Sequence, residues 1–115
     1  MQKILFFPFR DNPLCFVHVL LNALDLNKKG LGGQIILEGE AVTLVRLMTD
    51  TSHFLHPLYQ QALEHTLFLG ACRACASKLH ATEVINTTNI PLIGSMSGHP
   101  AMSDYIQQGY TILTL

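Results

Sequence analysis

Tryptophan is missing from the chain altogether, and charge is scarce: Asp, Glu, Lys and Arg make up 13% of its 115 residues, against about 25% in ordinary soluble domains. Seven basic residues against eight acidic ones leave a formal net charge of −1. Nucleic acid is therefore excluded as a partner, because its footprint requires a basic face. Cysteine is sparse and odd in number, three in all, with two of them in one C-x-x-C. That is not the even framework of a secreted disulfide scaffold, and it points to a reducing cytoplasm. Long apolar runs are absent too. The longest stretch free of formal charge, Val84 to Ser103, is rich in Asn, Thr, Gly, Pro and Ser and is no membrane span. Met1 to Pro8 has too short an apolar core, with no small-residue cleavage site after it, to read as a secretory leader. No membrane partner is expected.

What the chain does have is apolar mass, 49% of it hydrophobic. Residues 1–115 fit one domain, long enough to bury a core without staples. So much apolar surface with so little charge points to a homo-oligomer that hides part of it.

Taken in order, Lys3 to Phe7 is a continuous apolar run of the kind that forms a buried parallel strand, closed by Pro8. Asp11-Asn12-Pro13 supplies a cap and a proline at the first helical position, and the helix it opens runs to about Asn27. Leu14, Val17, Leu20, Leu21 and Leu24 mark one stripe of that helix and Phe16, Val19 and Ala23 another. One face is expected to meet the sheet and the other a neighbouring subunit. Cys15 and His18, without a motif around them, read as packing residues.

Lys28 to Gly33 is a helix stop, and Gln34 to Leu37 the second buried strand. Glu38-Gly39-Glu40 follows at its carboxyl edge, where ligands collect in open α/β sheets. The ordinary reading of the two carboxylates is a solvated turn. A helix over Ala41, Leu44, Val45 and Met48 comes next, then a break holding His53, Phe54 and His56, then a short helix from His56-Pro57 to His65. Glu83 to Pro91 reads as a loop or short strand, and Leu92-Ile93-Gly94 as a fourth strand. Pro100 is placed at the start of a last helix, and Tyr110 to Leu115 is a fifth, buried strand. The β-α alternation predicts an α/β fold: a three-layer sandwich with a mainly parallel, about five-stranded sheet.

The chemistry concentrates at Leu67 to Leu79, an apolar run that stops at Cys72 and continues as a helical pattern. A thiol at a helix start faces unsatisfied N–H groups and the positive end of the dipole, so Cys72 is expected to ionise more readily than an ordinary cysteine. Cys75 lies one turn on, on the same face, as a resolving partner. Structural zinc takes four ligands, and no second C-x-x-C is present. His80, the nearest further ligand, reads as an ordinary helix-end residue, so no metal is expected.

Gly70-Ala71-Cys72-Arg73-Ala74-Cys75 after a third strand, Glu38-Gly39-Glu40 after the second, and the Met96 to Leu115 pattern together resemble the DsrE/DsrF-like, or YchN-like, family of small sulfur-relay proteins. The resemblance implies a flavodoxin-like layered subunit, assembly into dimers, trimers or hexamers, and a cysteine that carries sulfane sulfur. Cys72 matches the first cysteine of the family C-x-x-C and Cys75 the second. Where many members have an Ala-Arg-Gly run, this chain has Ser77-Lys78-Leu79-His80, leaving Arg73 or Lys78 to supply an anion contact.

The reading that follows is a cytoplasmic persulfide carrier, sulfurtransferase-like, with sulfur donor and acceptor proteins as partners and no cofactor. The Cys72 thiolate is expected to attack the outer sulfur of the donor persulfide and hold it, Cys75 to discharge it by forming a disulfide, and Arg73, Glu38 and His99 to bind the substrate. The rivals are a non-catalytic oligomeric module in which Glu38, His53 and His99 orient a small ligand, and a C-x-x-C dithiol redox protein.

Overall fold

Each apolar run becomes a strand of one all-parallel sheet in the computed structural model, which describes residues 2–115. Met1, at the head of the segment weighed as a leader, lies outside the described residues. The strands are β1 (Lys3–Phe7), β2 (Gly32–Leu37), β3 (Phe68–Cys72), β4 (Leu92–Ile93) and β5 (Tyr110–Thr114). Their order is β4-β3-β2-β1-β5. The first four step across the sheet in one direction, and β5 returns to the far side of β1.

Right-handed crossovers then place every helix between β1 and β4 on one face and the last helix on the other. The packing follows that rule. Helices α1 (Pro13–Lys28), α2 (Leu44–Met48), α3 (His56–Glu64), α4 (Arg73–Lys78) and α5 (Thr82–Asn86) supply Phe16, Leu20, Val45, Tyr59, Ala76 and Ile85 to the main core, with Phe6, Ile35 and Leu37 from the sheet. Successive strand side chains point to opposite faces. Leu5, Phe7 and Ile36 therefore form a second, smaller core under α6 (Met102–Ile106), where Tyr105 meets Phe7 edge-on at 6.2 Å. The result is a three-layer α/β sandwich with one thick layer and one thin one.

Asn12 caps α1 as its sequence suggests, its side chain accepting from the N–H groups of Leu14 and Cys15 at 2.9 and 3.1 Å. Of the two stripes, the one that turns inward is Phe16, Val19 and Ala23, joined by Leu20. Leu14 and Leu21 stand out in solvent, 71% and 48% exposed.

Three expectations need correction. Gly39–Thr43 is a 3-10 turn before α2, where Thr43 Oγ1 donates to the Glu40 carbonyl at 2.7 Å, so one helix from Ala41 does not form. The region from Glu83 holds α5, a single turn pinned by buried Ile85 and closed by Thr87 and Thr88, whose hydroxyls donate to the Val84 and Ile85 carbonyls. Its β-branched residues hide so short a helix from propensity. Finally, β5 is an edge strand with Leu113 and Leu115 largely exposed. What ties the tail down is backbone pairing with β1, plus the Phe9 N–H donating to the Leu115 carbonyl at 2.8 Å.

Candidate functional site

Three neighbouring strands end on one another's doorstep. β2 runs into Glu38, β3 ends in Cys72, and the chain leaving β4 turns back to present His99. Carboxyl edges of parallel strands are where such sheets gather ligands. Here Cys72 Sγ lies 3.1 Å from His99 Nδ1, and Cys75 Sγ lies 3.9 Å from the same nitrogen. The Cys75 N–H donates to Cys72 Sγ at 3.4 Å. One donor atom from each of Glu38, Cys72, Cys75 and His99 falls within 4.8 Å of all the others. Cys72 is wholly buried, Glu38 is 7% exposed, and Cys75 and His99 are half-buried at the mouth.

His99 is delivered by a two-residue hairpin. Ser97 and Gly98 both have positive φ, +52° and +90°, and Met96 and His99 exchange backbone hydrogen bonds at 2.8 and 2.9 Å. Two consecutive positive φ values are the type I′ signature that favours glycine second. The Gly98 carbonyl then accepts from the Ala74 N–H at 2.9 Å, tying the hairpin to the first turn of α4. A side chain at Gly94 would sit 2.6 Å from that same carbonyl, so glycine is needed there for the turn to close. Pro100 is spent holding this loop, and α6 starts only at Met102 instead of at the proline.

The electrostatics reverse one expectation. Burial pushes the Cys72 thiol up from 9.0 to about 12, the Glu38 carboxylate beside it adds to the rise, and the Cys75 N–H only partly offsets them. The helix that was to stabilise a thiolate is six residues long. Arg73, expected to supply an anion contact, turns away to donate to the Leu92 carbonyl at 3.4 Å. Below pH 9 the thiol is protonated whether the chain is folded or not. Between pH 9 and about 12 only the unfolded chain ionises it, so the stability this burial contributes is lost as pH rises through that window. Alkylation with iodoacetamide at pH 8 should therefore modify exposed Cys15 and half-buried Cys75 well before Cys72, whose rate climbs steadily above pH 9. Equal labelling of all three at pH 8 would contradict the burial.

Glu38 departs most from its sequence reading. It is buried, and its Oε1 has no hydrogen-bond partner. Its N–H donates to the Pro8 carbonyl at 3.1 Å, and one of its carboxylate oxygens lies within 4.8 Å of both sulfurs and a ring nitrogen of His99. Glu40 is exposed in the 3-10 turn. His53 is committed locally, its Nδ1 accepting from the Leu55 N–H at 3.1 Å while its ring stacks on Phe54. His56 bonds the Met48 carbonyl, and His80 is an exposed residue with φ +57°. Of the rival ligand set, then, Glu38 and His99 come together and His53 does not. The ligand shortage that spoke against a metal also disappears, because Glu38 and His99 bring the donor count to four. No spacing rule could show this, since the four residues span 62 positions of the chain and meet only through strand order.

No model of a known protein family matches the chain. The uncharacterized protein MJ0733 of Methanocaldococcus jannaschii is 31% identical over 106 residues, which is 92% of this chain and 84% of that protein. An uncharacterized protein of Archaeoglobus fulgidus is 33% identical over 43 residues, 37% of this chain and 70% of the other. Among solved structures, a conserved protein of unknown function, BT1422 from Bacteroides thetaiotaomicron, superposes over 99% of this chain and 95% of its own, with a TM-score of 0.74 at 22% identity. That likeness is one of fold.

Proposed function

We propose that this chain, which belongs to one family with the uncharacterized protein MJ0733, is a sulfur carrier working through its C-x-x-C, a reading that rests on the thiol pair gathered around one imidazole. The observation that carries this reading is His99 Nδ1 lying 3.1 Å from one cysteine sulfur and 3.9 Å from the other. A single base within reach of two thiols can take a proton from whichever one reacts. The resemblance to DsrE/DsrF-like proteins points the same way.

The division of labour follows exposure. Cys75, at the mouth, is the first acceptor: with its proton held by His99, the Cys75 thiolate attacks the outer sulfur of a donor persulfide, R–S–SH. The donor's S–S bond breaks, R–S⁻ leaves and takes the proton from the imidazolium, and Cys75 holds the sulfur as Cys–S–SH. An acceptor thiolate can attack that outer sulfur and restore the Cys75 thiolate. Alternatively Cys72, its proton passed to His99, attacks the inner sulfur, forming the Cys72–Cys75 disulfide and releasing HS⁻. Thiolate fraction and access govern both steps, and a reducing compartment such as the cytoplasm would keep the pair ready. Intact mass after exposure to a persulfide donor tests this directly: gain of one sulfur atom, held in Cys72→Ser where the internal disulfide cannot form, supports it, and loss of two hydrogens in wild type with no sulfur gained at any time in Cys72→Ser makes the protein a dithiol redox carrier instead.

The same reading includes self-assembly. Leu14 and Leu21 on the outer face of α1 are exposed, as are Phe9 and, along the β5 edge, Leu113 and Leu115. An apolar trough of about 290 Å³ lies between these two elements, lined by Phe6, Phe16, Val19 and Leu115 among others. Replacing Leu14 and Leu21 together by Glu should convert an oligomer to monomer in light scattering with unchanged circular dichroism. A wild-type protein that is already monomeric at high concentration would rule this out.

A further inference from the structure

We infer that Glu38, Cys72, Cys75 and His99 form a binding site for a divalent cation of the zinc class. The inference goes beyond sulfur carriage and does not depend on it, although both use the same sulfurs. Two thiols, an imidazole and a carboxylate are the donor types that zinc takes, whereas calcium and magnesium prefer oxygen sets and cubane iron–sulfur clusters use four cysteines.

The geometry fits the donor chemistry. Tetrahedral zinc with its usual bond lengths places ligand atoms about 3.4–3.8 Å apart. The His99 Nδ1 separations of 3.1 and 3.9 Å from the two sulfurs bracket that span, and all four donors already lie within 4.8 Å. Cys75 and His99 are the two half-buried members of the set.

The independent observation is Glu38. A carboxylate oxygen that is buried and without a partner is costly, more so when charged. One oxygen of this carboxylate lies within 4.8 Å of the two sulfurs and the ring, and a cation held among them would satisfy the side chain. Binding converts both thiols to thiolates and releases their two protons, leaving the cation bound to two thiolates, one carboxylate and a neutral imidazole. Metal and sulfane sulfur are then alternative loads, since a cation held by both sulfurs leaves neither free to attack.

Cobalt(II) titration of the reduced protein without air tests the site, with zinc(II) as competitor. One cobalt per chain should bind, with a thiolate-to-cobalt charge-transfer band and the visible bands of a tetrahedral ion, and zinc should displace it. Serine at either Cys72 or Cys75 should remove about half of the charge-transfer intensity. Glu38→Gln keeps both thiolates and hence the band, but should weaken cobalt binding at least as much as the loss of a supporting partner does, about 10–100-fold. Absence of the charge-transfer band in protein with a native circular dichroism spectrum would overturn the site, and unchanged affinity in Glu38→Gln would overturn the four-donor assignment. Because this readout needs no sulfur donor, it stands or falls separately from persulfide formation, and zinc blocking sulfur gain would join the two.

Discussion

Serine in place of Cys75 is expected to abolish sulfur capture, lowering its rate on the order of a thousandfold or more, as loss of a nucleophile does elsewhere. Serine in place of Cys72 should leave capture within a few-fold of wild type, because Cys72 Sγ is buried behind the site. What the Cys72 change should remove is the release of hydrosulfide through the internal disulfide, so a single sulfur remains on the protein until an external thiol takes it. Time-resolved intact mass separates the two steps. If the pattern is inverted, with capture lost in Cys72→Ser and kept in Cys75→Ser, then Cys72 is the sulfur-bearing atom and His99, 3.1 Å away, is its base. The rise of the Cys72 thiol to about 12 argues against that order. So does its lack of exposure.

Gly33→Ala should be the most damaging small substitution in the chain. Gly33 has φ +88°, and a Cβ there would lie 2.2 Å from the Ala23 carbonyl oxygen. This is where α1 crosses the start of β2, and neither backbone can give way without opening the main core. Strain at a positive φ alone costs on the order of 1–3 kcal/mol, and the clash adds to it. A total near 3 kcal/mol or more is a large share of a stability of about 5–15 kcal/mol. Gly30→Ala is the control: its φ is +74°, but a Cβ there meets nothing within 4 Å, so only the conformational part is lost. Urea unfolding of the two variants should show a clearly lower midpoint for Gly33→Ala. Equal midpoints would contradict the close crossing.

Much of this architecture was legible in the residues. The strand at Lys3–Phe7 is a continuous apolar run ended by proline, and the Asn12-Pro13 opening of α1 has a mechanism that survives any context. Which stripe of α1 would turn inward was not legible, because both stripes are apolar and only the sheet's position decides between them. The edge location of β5 was hidden for a similar reason, since an apolar strand reads as buried whether or not a neighbour covers it. For the site, Cys72 and Cys75 announce themselves by spacing and by the junction at which they stand. Their electrostatics do not. The prediction of an easily ionised Cys72 rested on local helix effects, and tertiary burial beside Glu38 outweighs them. Glu38 itself looked like part of a solvated turn, because a Gly-flanked glutamate gives no sign that β3 and the β4 hairpin will close over it.

In the proposed relay, sulfur is held on Cys75 of the Cys72–Cys75–His99–Glu38 cluster. The most direct measurement is peptide mapping of the wild-type protein after a short exposure to a persulfide donor and capping with a persulfide-selective alkylating reagent. The prediction is one added sulfur located on Cys75 at short times, with Cys15 and Cys72 unmodified by sulfur and the Cys72–Cys75 disulfide appearing later. Sulfur spread evenly over all three cysteines, or on none while the protein remains folded, would contradict it.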